Sequence, residues 1–376
     1  MKKIIIAGGG TGGHIYPAIT IAKAILKLNS EWEVEFVGTA EGLEAKIIPR
    51  EGFKISFISV GKLNYAGSLF KKIKTLLRLP WSFIKCLALV IEKKPVLVLG
   101  VGGYVSGPFV LASSIMGVPT ALWEPNAHPG LTNRLLARFV RKCFIVFEEA
   151  KKHLKARSYM KVGIPVREEI EKLNSYVDFD NVSSTEQSHG LQKFKVLVFG
   201  GSQGARAINL AIKEMFEKYH SELTSFEFIH QTGMVDFQEV NQSYSSHPDF
   251  SNIKALEYVY DMDNKYRWAD LVICRAGAGT VAEIAASGKP AIFIPLPWAA
   301  DDHQRKNAEA LVSKKAAVMI DQKNLTPRVL LDKIVEIQKD LSLRRQMSEN
   351  VKHFFFPNAA EKMATQLINL QYENEE

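Results

Sequence analysis

No aspartate occurs before Asp178. Cysteine is almost as scarce: Cys86, Cys143 and Cys274 are scattered, odd in number and form no CxxC pair. That pattern argues against a disulfide framework and a cysteine zinc site, and points to a reducing compartment. No uninterrupted apolar run reaches the roughly 18 residues needed to span a bilayer. The opening MKKIIIAGGG has a basic start, but its apolar stretch, Ile4 to Ala7, is too short for a signal-peptide core, and glycines follow at once. These absences lead to the expectation of a cytoplasmic chain. What is present, 47% hydrophobic and 23% charged residues over 376 positions, fits a soluble globular protein of two ordinary domains.

The missing aspartates leave the charge uneven. Residues 1–160 hold 23 Lys and Arg against 10 Asp and Glu, whereas 161–376 hold 25 against 30. A basic first half suits an anionic partner such as nucleic acid, acidic lipid or a phosphorylated substrate. The plainer alternative is that the charge serves only solubility.

Along the chain, an apolar strand meets a glycine-rich turn and then an amphipathic helix, repeatedly. Lys3–Ala7, Val34–Val37, Pro95–Val101, Thr120–Trp123, Cys143–Phe147, Asp270–Cys274 and Pro290–Pro295 read as strands, and Tyr16–Leu28 as a helix. The strands are Val/Ile/Leu-rich without alternation, as parallel strands buried on both faces are. The class is therefore α/β, doubly wound. The unit also recurs: FKVLVFGGSQGARAINLAI, from Phe194, aligns with KIIIAGGGTGGHIYPAITI at an offset that sets Gly8, Gly9 and Gly12 on Gly200, Gly201 and Gly204, and His14 on Arg206. Two similar Rossmann-like domains follow from that repeat. Residues 175–192 read as a polar linker or insertion, and VGIPVR, 162–167, as a hinge.

The first loop contains GxGxxG as Gly8, Gly10 and Gly13. Such a loop lets backbone amides approach a pyrophosphate at a helix N-terminus, although it also serves mere strand–helix packing. A nicotinamide site would place an acid at the end of the second strand, where Gly38 and Thr39 stand, and no GK[ST] is present. His14 falls at the start of the following helix, whose positive end disfavours imidazolium. A neutral imidazole there is either a general base or a hydrogen-bonding partner of a phosphate. GGSQGAR, 200–206, is a second cradle, to which Arg206 adds fixed charge. CRAGAGTVAEIAASG, 274–288, is a third junction, in which Ala278 to Thr280 offer amides and Glu283 either accepts sugar hydroxyls or complements the helix dipole. Asp301, Asp302, His303 and Gln304 open another helix, as ligand groups or as N-caps. DMD, 261–263, resembles a metal-binding acid pair, but helix capping explains it better, and no metal ligand is expected there.

The stretch 68–94 is basic and apolar together, with Pro80 expected to break it into two helices. It reads as an interfacial patch on anionic lipid, as a crossover helix packed on the sheet, or partly as each.

Taken in order, GGTGGH (9–14), GVGGYVSGP (100–108), EPN (124–126), GLTNR (130–134), PVR (165–167), GGSQGAR (200–206), RAGAGT (275–280) and HQRKNA (303–308) resemble the MurG family, glycosyltransferase family 28. The resemblance implies a GT-B architecture, two Rossmann-like domains with parallel sheets facing across a cleft. It implies an acceptor-binding, membrane-associating domain over 1–163 plus 355–376, and a UDP-GlcNAc-binding domain over 164–354. The implied activity is an inverting transfer of GlcNAc from UDP-GlcNAc to the C4 hydroxyl of MurNAc on an undecaprenyl diphosphate carrier, lipid I to lipid II, in peptidoglycan synthesis. Another GT-B enzyme using UDP-GlcNAc, a 2-epimerase or a glycolipid glycosyltransferase, is the alternative.

By the same resemblance, Val259 backbone meets uracil and Glu283 the ribose. Ser202, Arg167 and Ala278, Gly279 and Thr280 serve the diphosphate, and Gln304 reads GlcNAc. Thr11, Gly12, Gly13 and Asn126 border the donor. Gly12, Gly13, His14, Gly103, Tyr104, Asn126 and Asn133 receive the acceptor. His14 is the first choice of catalytic base and Glu124 the second. Leu77, Leu79, Trp81, Phe83 and Lys85 would touch the cytoplasmic face of the membrane, making the protein peripheral. No obligatory cofactor or metal is implied, a divalent cation accompanying UDP being optional. Nucleic acid is not a partner, whereas other cell-wall enzymes are conceivable ones. Two departures stand out: WEPN at 123–126 where the family often has HEQN, and His303 before Gln304 where it often has two glutamines.

Overall fold

The structure, a computed structural model, describes residues 2–10, 12–59, 69–103, 105–126, 128–175, 193–201, 203–299 and 302–372, with backbone alone over 69–79 and 174–175. The chain divides into two compact units, 1–167 with 356–376, and 168–355. The expected linker, apart from Ser175, lies outside the described residues.

The first unit is built on a seven-stranded sheet, β1 (Lys2–Ala7), β2 (Trp32–Gly38), β3 (Lys54–Phe57), β4 (Leu97–Gly100), β5 (Thr120–Glu124), β6 (Lys142–Ile145) and β7 (Tyr159–Lys161). Their spatial order is β3-β2-β1-β4-β5-β6-β7, and every pairing is parallel. Successive side chains of a strand point to opposite faces. Accordingly Ile4 and Ile6 pack in one core, with α1 (Gly12–Leu28), while Ile5 and Ala7 pack in another, with α3 (Leu69–Lys93) and α4 (Ser106–Ile115). Both faces are covered, which is why the strand reads as an unbroken apolar run. The last helix, Ala359–Leu370, returns to this unit and buries Ala360, Met363, Ala364, Leu367 and Leu370 beside α1. Gly163 permits that return, since a Cβ there would meet Phe356 Cβ at 2.5 Å.

Pro80 does not divide the basic, apolar stretch. Leu69–Lys93 is one 25-residue helix with Pro80 inside it. A proline removes one backbone hydrogen bond and crowds one carbonyl, so a long helix packed along a sheet can absorb it. Its C-terminal half buries Cys86 and Val90 against the sheet, with Phe83, Leu87 and Leu89 packed around them.

The second unit repeats the plan with six strands: β8 (Phe194–Phe199), β9 (Phe226–Gln231), β10 (Ile253–Leu256), β11 (Leu271–Cys274), β12 (Ala291–Phe293) and β13 (Val318–Met319). Their order is β10-β9-β8-β11-β12-β13, again wholly parallel. In each sheet the strand that feeds a glycine-rich loop, β1 or β8, lies where the strand order reverses. Ligands of open α/β sheets bind at that position, outside the carboxyl ends of the strands.

Candidate active site

In the first unit the loops after β1 and β4 touch backbone to backbone. Gly103 has φ +80°, and a Cβ on it would lie 2.7 Å from Gly9 O. Helix α1 starts at Gly12, so His14 is its third residue. His14 is half-buried, and its Nδ1 is covered and has no hydrogen-bond partner among the described residues. The Val101 carbonyl accepts from the ring. Burial pushes the imidazole pKa below its ordinary value, the Val101 bond opposing this in part. The ring is thus neutral at neutral pH, as a base must be.

One organiser of this loop escaped the motif reading. Glu44, buried, accepts from Gly10 N at 2.9 Å, Thr39 N at 3.0 Å and Thr39 Oγ1 at 2.8 Å. The acid missing from the end of β2 is supplied instead by the following helix, α2 (Glu44–Arg50), and it serves the loop. Glycines at 9, 38 and 42 make room for it, because a Cβ at each would collide with its side chain. Those spaced glycines were the available sequence signal.

Glu124 ends β5 and is also buried. Its Oε1 accepts from Asn126 N (2.9 Å) and Asn126 Nδ2 (3.0 Å), and its Oε2 from Gly130 N (3.2 Å) and Asn133 Nδ2 (2.9 Å). Burial raises its pKa while these four donors pull it down. Glu124, Asn126 and Asn133 are thereby one cluster that shapes the loop before the short helix Leu131–Leu136. Asn133 Nδ2 also reaches Trp123 O, at 3.1 Å. Trp123 itself is fully buried in the core beside Phe144, so this departure from the family pattern changes packing beneath the loop. The Arg167 guanidinium lies 5.0 Å over the Tyr16 ring, against the first turns of α1. Gly12 and Gly13 open α1, whereas Thr11 and Tyr104 lie outside the described residues.

In the second unit the loop after β8 turns at Gly201 (φ +92°) and Gly204 (φ +78°), and Gly204 N donates to Gly201 O at 3.0 Å. Ser202 lies outside the described residues. Arg206 differs from its expected role as a cation for the cradle. Its Nη1 pairs with Asp236 Oδ1 at 2.6 Å and Glu239 Oε2 at 3.2 Å, so neighbouring carboxylates already balance its charge.

Val259, nearly buried, donates its N–H to Gln231 Oε1 at 3.2 Å. The helix Ala278–Ser287 opens with Ala278, Gly279 and Thr280, all partly exposed, and presents its amide end there. Glu283 stands on the same helix, and its Oε2 accepts from the hydroxyl of fully buried Tyr266 at 3.0 Å. Gln304 Oε1 accepts from Leu296 N at 3.1 Å, so a ligand contact from this side chain falls to its NH2. Arg275 is buried and donates to Ile294 O, Pro295 O and Gln322 Oε1 at 2.9, 3.0 and 2.7 Å, and burial lowers its pKa to about 10. Asn307 Nδ2 donates to Ala276 O at 3.0 Å, which ties the RAGAGT and HQRKNA segments together. Asp261 precedes the helix Met262–Trp268 without capping it and pairs with Lys265 at 3.1 Å. Among the described residues no group of three or more His, Cys, Asp or Glu could hold a metal ion.

The glycosyltransferase family 28 N-terminal domain matches residues 4–145, and the family's C-terminal domain matches residues 195–363. The chain belongs to glycosyltransferase family 28. Within that family it is 48% identical over 367 residues, 98% of this chain and 99% of the relative, to the UDP-N-acetylglucosamine–N-acetylmuramyl-(pentapeptide) pyrophosphoryl-undecaprenol N-acetylglucosamine transferase of Bdellovibrio bacteriovorus. The protein of the same name from Myxococcus xanthus is 39% identical over 370 residues, covering 98% of this chain and 93% of the relative. Among solved structures, Acinetobacter baumannii MurG matches with a TM-score of 0.74 at 28% identity, over 98% of this chain and 100% of that one. The two parallel, Rossmann-like sheets are those of a GT-B glycosyltransferase.

Proposed function

We propose that the chain transfers GlcNAc from UDP-GlcNAc to the C4 hydroxyl of MurNAc in undecaprenyl-diphosphate-linked MurNAc-pentapeptide, inverting the anomeric centre. The observation that carries this reading is the matched pair of glycine-rich loops at equivalent switch points, with a neutral, partly desolvated histidine at only one of them.

The first unit takes the acceptor. His14 removes the proton as the C4 oxygen attacks C1 of GlcNAc, and the C1–O bond to UDP breaks on the opposite face. Glu124 has its carboxylate oxygens engaged by four loop donors, which supports a positioning role and leaves His14 as the base. Gly12, Gly13, Gly103, Tyr104, Asn126 and Asn133 line or shape the acceptor's place. The second unit takes the donor, with Val259 backbone at the uracil, Glu283 at the ribose, Ser202 and the amides of Ala278, Gly279 and Thr280 at the diphosphate, and Gln304 at GlcNAc. Helix N-terminal amides stabilise the charge that develops on UDP. Arg206 is engaged by Asp236, so the fixed cation in this reading is Arg167. A divalent cation is an optional companion of UDP. The exposed side of α3, with Trp81 and Lys85, rests on the anionic membrane surface where the acceptor is anchored.

Release of UDP from UDP-GlcNAc with and without lipid I tests the reading. Release only when both are present, with GlcNAc appearing on the lipid, is the expected result. Formation of UDP-ManNAc from UDP-GlcNAc alone would make the chain an epimerase, and binding without turnover would make it a sugar-nucleotide sensor.

A further inference from the structure

We propose that Gln231 is a positioning residue that locks the base-reading backbone and the diphosphate loop of the donor site into one register, and so sets pyrimidine selectivity. This deepens the assignment of the second unit to the nucleotide sugar and rests on it.

Gln231 is the last residue of β9, beside β8 at the switch point, and is 2% exposed. Its carboxamide is used in both senses. Nε2 donates to Gly201 O at 2.8 Å, inside the glycine-rich loop, and Oε1 accepts from Val259 N at 3.2 Å, just after β10. One planar group therefore spans the two segments that the donor reading assigns to diphosphate and base. The bonds are buried, where an unmade partner is costly.

The surroundings leave little slack for either segment to drift. Thr232 N donates to Leu256 O at 2.9 Å. A Cβ on Gly204 would collide with Thr232 O, and one on Gly233 with Gln203 O. The loops after β8, β9 and β10 are thus stacked backbone on backbone, and Gln231 is the side chain that ties the outer two through the middle one.

The consequence for recognition follows from peptide planarity. In a trans peptide the N–H and C=O point in opposite directions. Holding Val259 N–H on Gln231 turns the Tyr258 carbonyl away from Gln231 and fixes that plane. Uracil carries a hydrogen on N3 and cytosine does not, so a backbone whose donors and acceptors cannot rotate separates the two bases. A backbone free to flip accommodates either.

Two variants divide the functions of the carboxamide. Q231L removes both bonds. Q231E keeps an acceptor for Val259 N–H but loses the donor to Gly201 O and places a negative charge behind the diphosphate loop. Uridine, UDP and CDP are titrated into the full chain by calorimetry, with direct or competitive displacement, and each variant's melting is recorded. Q231E should bind uridine within about twofold of the parent while binding UDP about tenfold more weakly, the cost of one buried hydrogen bond. Q231L should weaken both ligands and reduce the preference for UDP over CDP by roughly tenfold.

A folded Q231L with unchanged UDP affinity and unchanged UDP-to-CDP preference overturns the inference. So does a Q231E that weakens uridine and UDP equally, which is what general loss of structure would give. If Q231L does not fold, the uridine-to-UDP ratio of Q231E decides alone. Parental protein that binds no UDP overturns the donor-site reading itself, and this inference with it.

Discussion

The His14 imidazole lies against the backbone of Gly102, where an added Cβ would sit 2.8 Å from His14 Cε1 and 3.0 Å from Nδ1. Gly102 also has φ +102°, a conformation that side chains rarely adopt. Gly102→Ala should therefore displace the ring that the reaction uses while straining the backbone by about 1–3 kcal/mol. The expected outcome is a kcat reduced by about tenfold or more, with UDP affinity unchanged, because the donor loop belongs to the other unit. Steady-state kinetics beside UDP titration checks it. A variant with parental kcat would show that the position of His14 is unimportant.

The pH profile gives a second test. Burial lowers the His14 pKa below its ordinary 6.5, so the ring stays unprotonated, and competent as a base, through neutral pH. Turnover should hold constant from pH 8 to about 6.5 and fall only further into acid. His14→Ala should lose most activity and abolish that acid limb. An acid limb centred above 6.5, or one that persists in His14→Ala, would assign the titration to another group.

Much of the fold was legible because parallel strands covered on both faces leave long apolar runs. Ile4 to Ala7 and Val196 to Phe199 announce themselves, and their repeat marks two like domains. What the sequence hid was mostly tertiary. Gln231 and Tyr266 act on segments reached only through the fold, and nothing local marks them as partners of Gly201 or Glu283, while Glu44 left only its neighbouring glycines at 38 and 42 as a trace of its bond to Gly10. Arg206 was misjudged for the same reason, since the acid that engages it, Asp236, follows the next strand. Pro80 misled because local helix-breaking lost to packing along the sheet. His14 was found by spacing, but only its burial in the fold, which lowers its pKa and keeps the ring neutral, favours the base over a phosphate ligand.

Glu44 should prove to be a loop-positioning residue. In Glu44→Gln an NH2 replaces one oxygen and must face either Gly10 N–H or the Thr39 donors. One buried donor then loses its acceptor, at a cost of about 1–3 kcal/mol. Chemical denaturation should register that loss. The acceptor KM should rise, with the donor KM unaltered, if the carboxylate sets the first glycine-rich loop. Equal changes in both would indicate general destabilisation.

Membrane contact separates residues that the sequence grouped together. Trp81 is 64% exposed and Ile84 and Lys85 are exposed beside it, whereas Phe83 packs on the core. Leu77 and Leu79 lie in the part of the helix described by backbone alone. Replacing Trp81 and Lys85 with Ala and Glu should weaken binding to vesicles of anionic lipid by about tenfold and leave stability nearly unchanged. Replacing Phe83 with Ala should mainly lower stability. Undiminished vesicle binding by the Trp81/Lys85 variant would return this face to a packing or solubility role.

A second histidine predicts how stability responds to acid. His230 is fully buried, its Nδ1 2.9 Å from Tyr244 Oη and its Nε2 3.0 Å from Asn209 Oδ1. Asn209 Nδ2 donates to Thr232 O and Asp236 Oδ2, so its oxygen faces the ring. Nε2 therefore carries the hydrogen and Nδ1 accepts from Tyr244. Burial lowers the His230 pKa from 6.5 to about 3, although Asp236 opposes the shift. Between those values the unfolded chain binds a proton that the folded chain refuses. The stability linked to this group is complete above pH 6.5 and declines as pH falls, by up to about 1.4 kcal/mol per unit, until about pH 3. From pH 6.5 to 5 the loss should approach about 2 kcal/mol. His230→Gln will be less stable at every pH for lack of the imidazole's bonds, but its dependence on pH should be flatter than the parent's. Unfolding free energies at pH 7.5 and 5.0 for both proteins isolate the term, because His14 and the carboxylates contribute equally to each. Parallel pH dependences would mean that the folded protein protonates His230 as readily as the unfolded chain does.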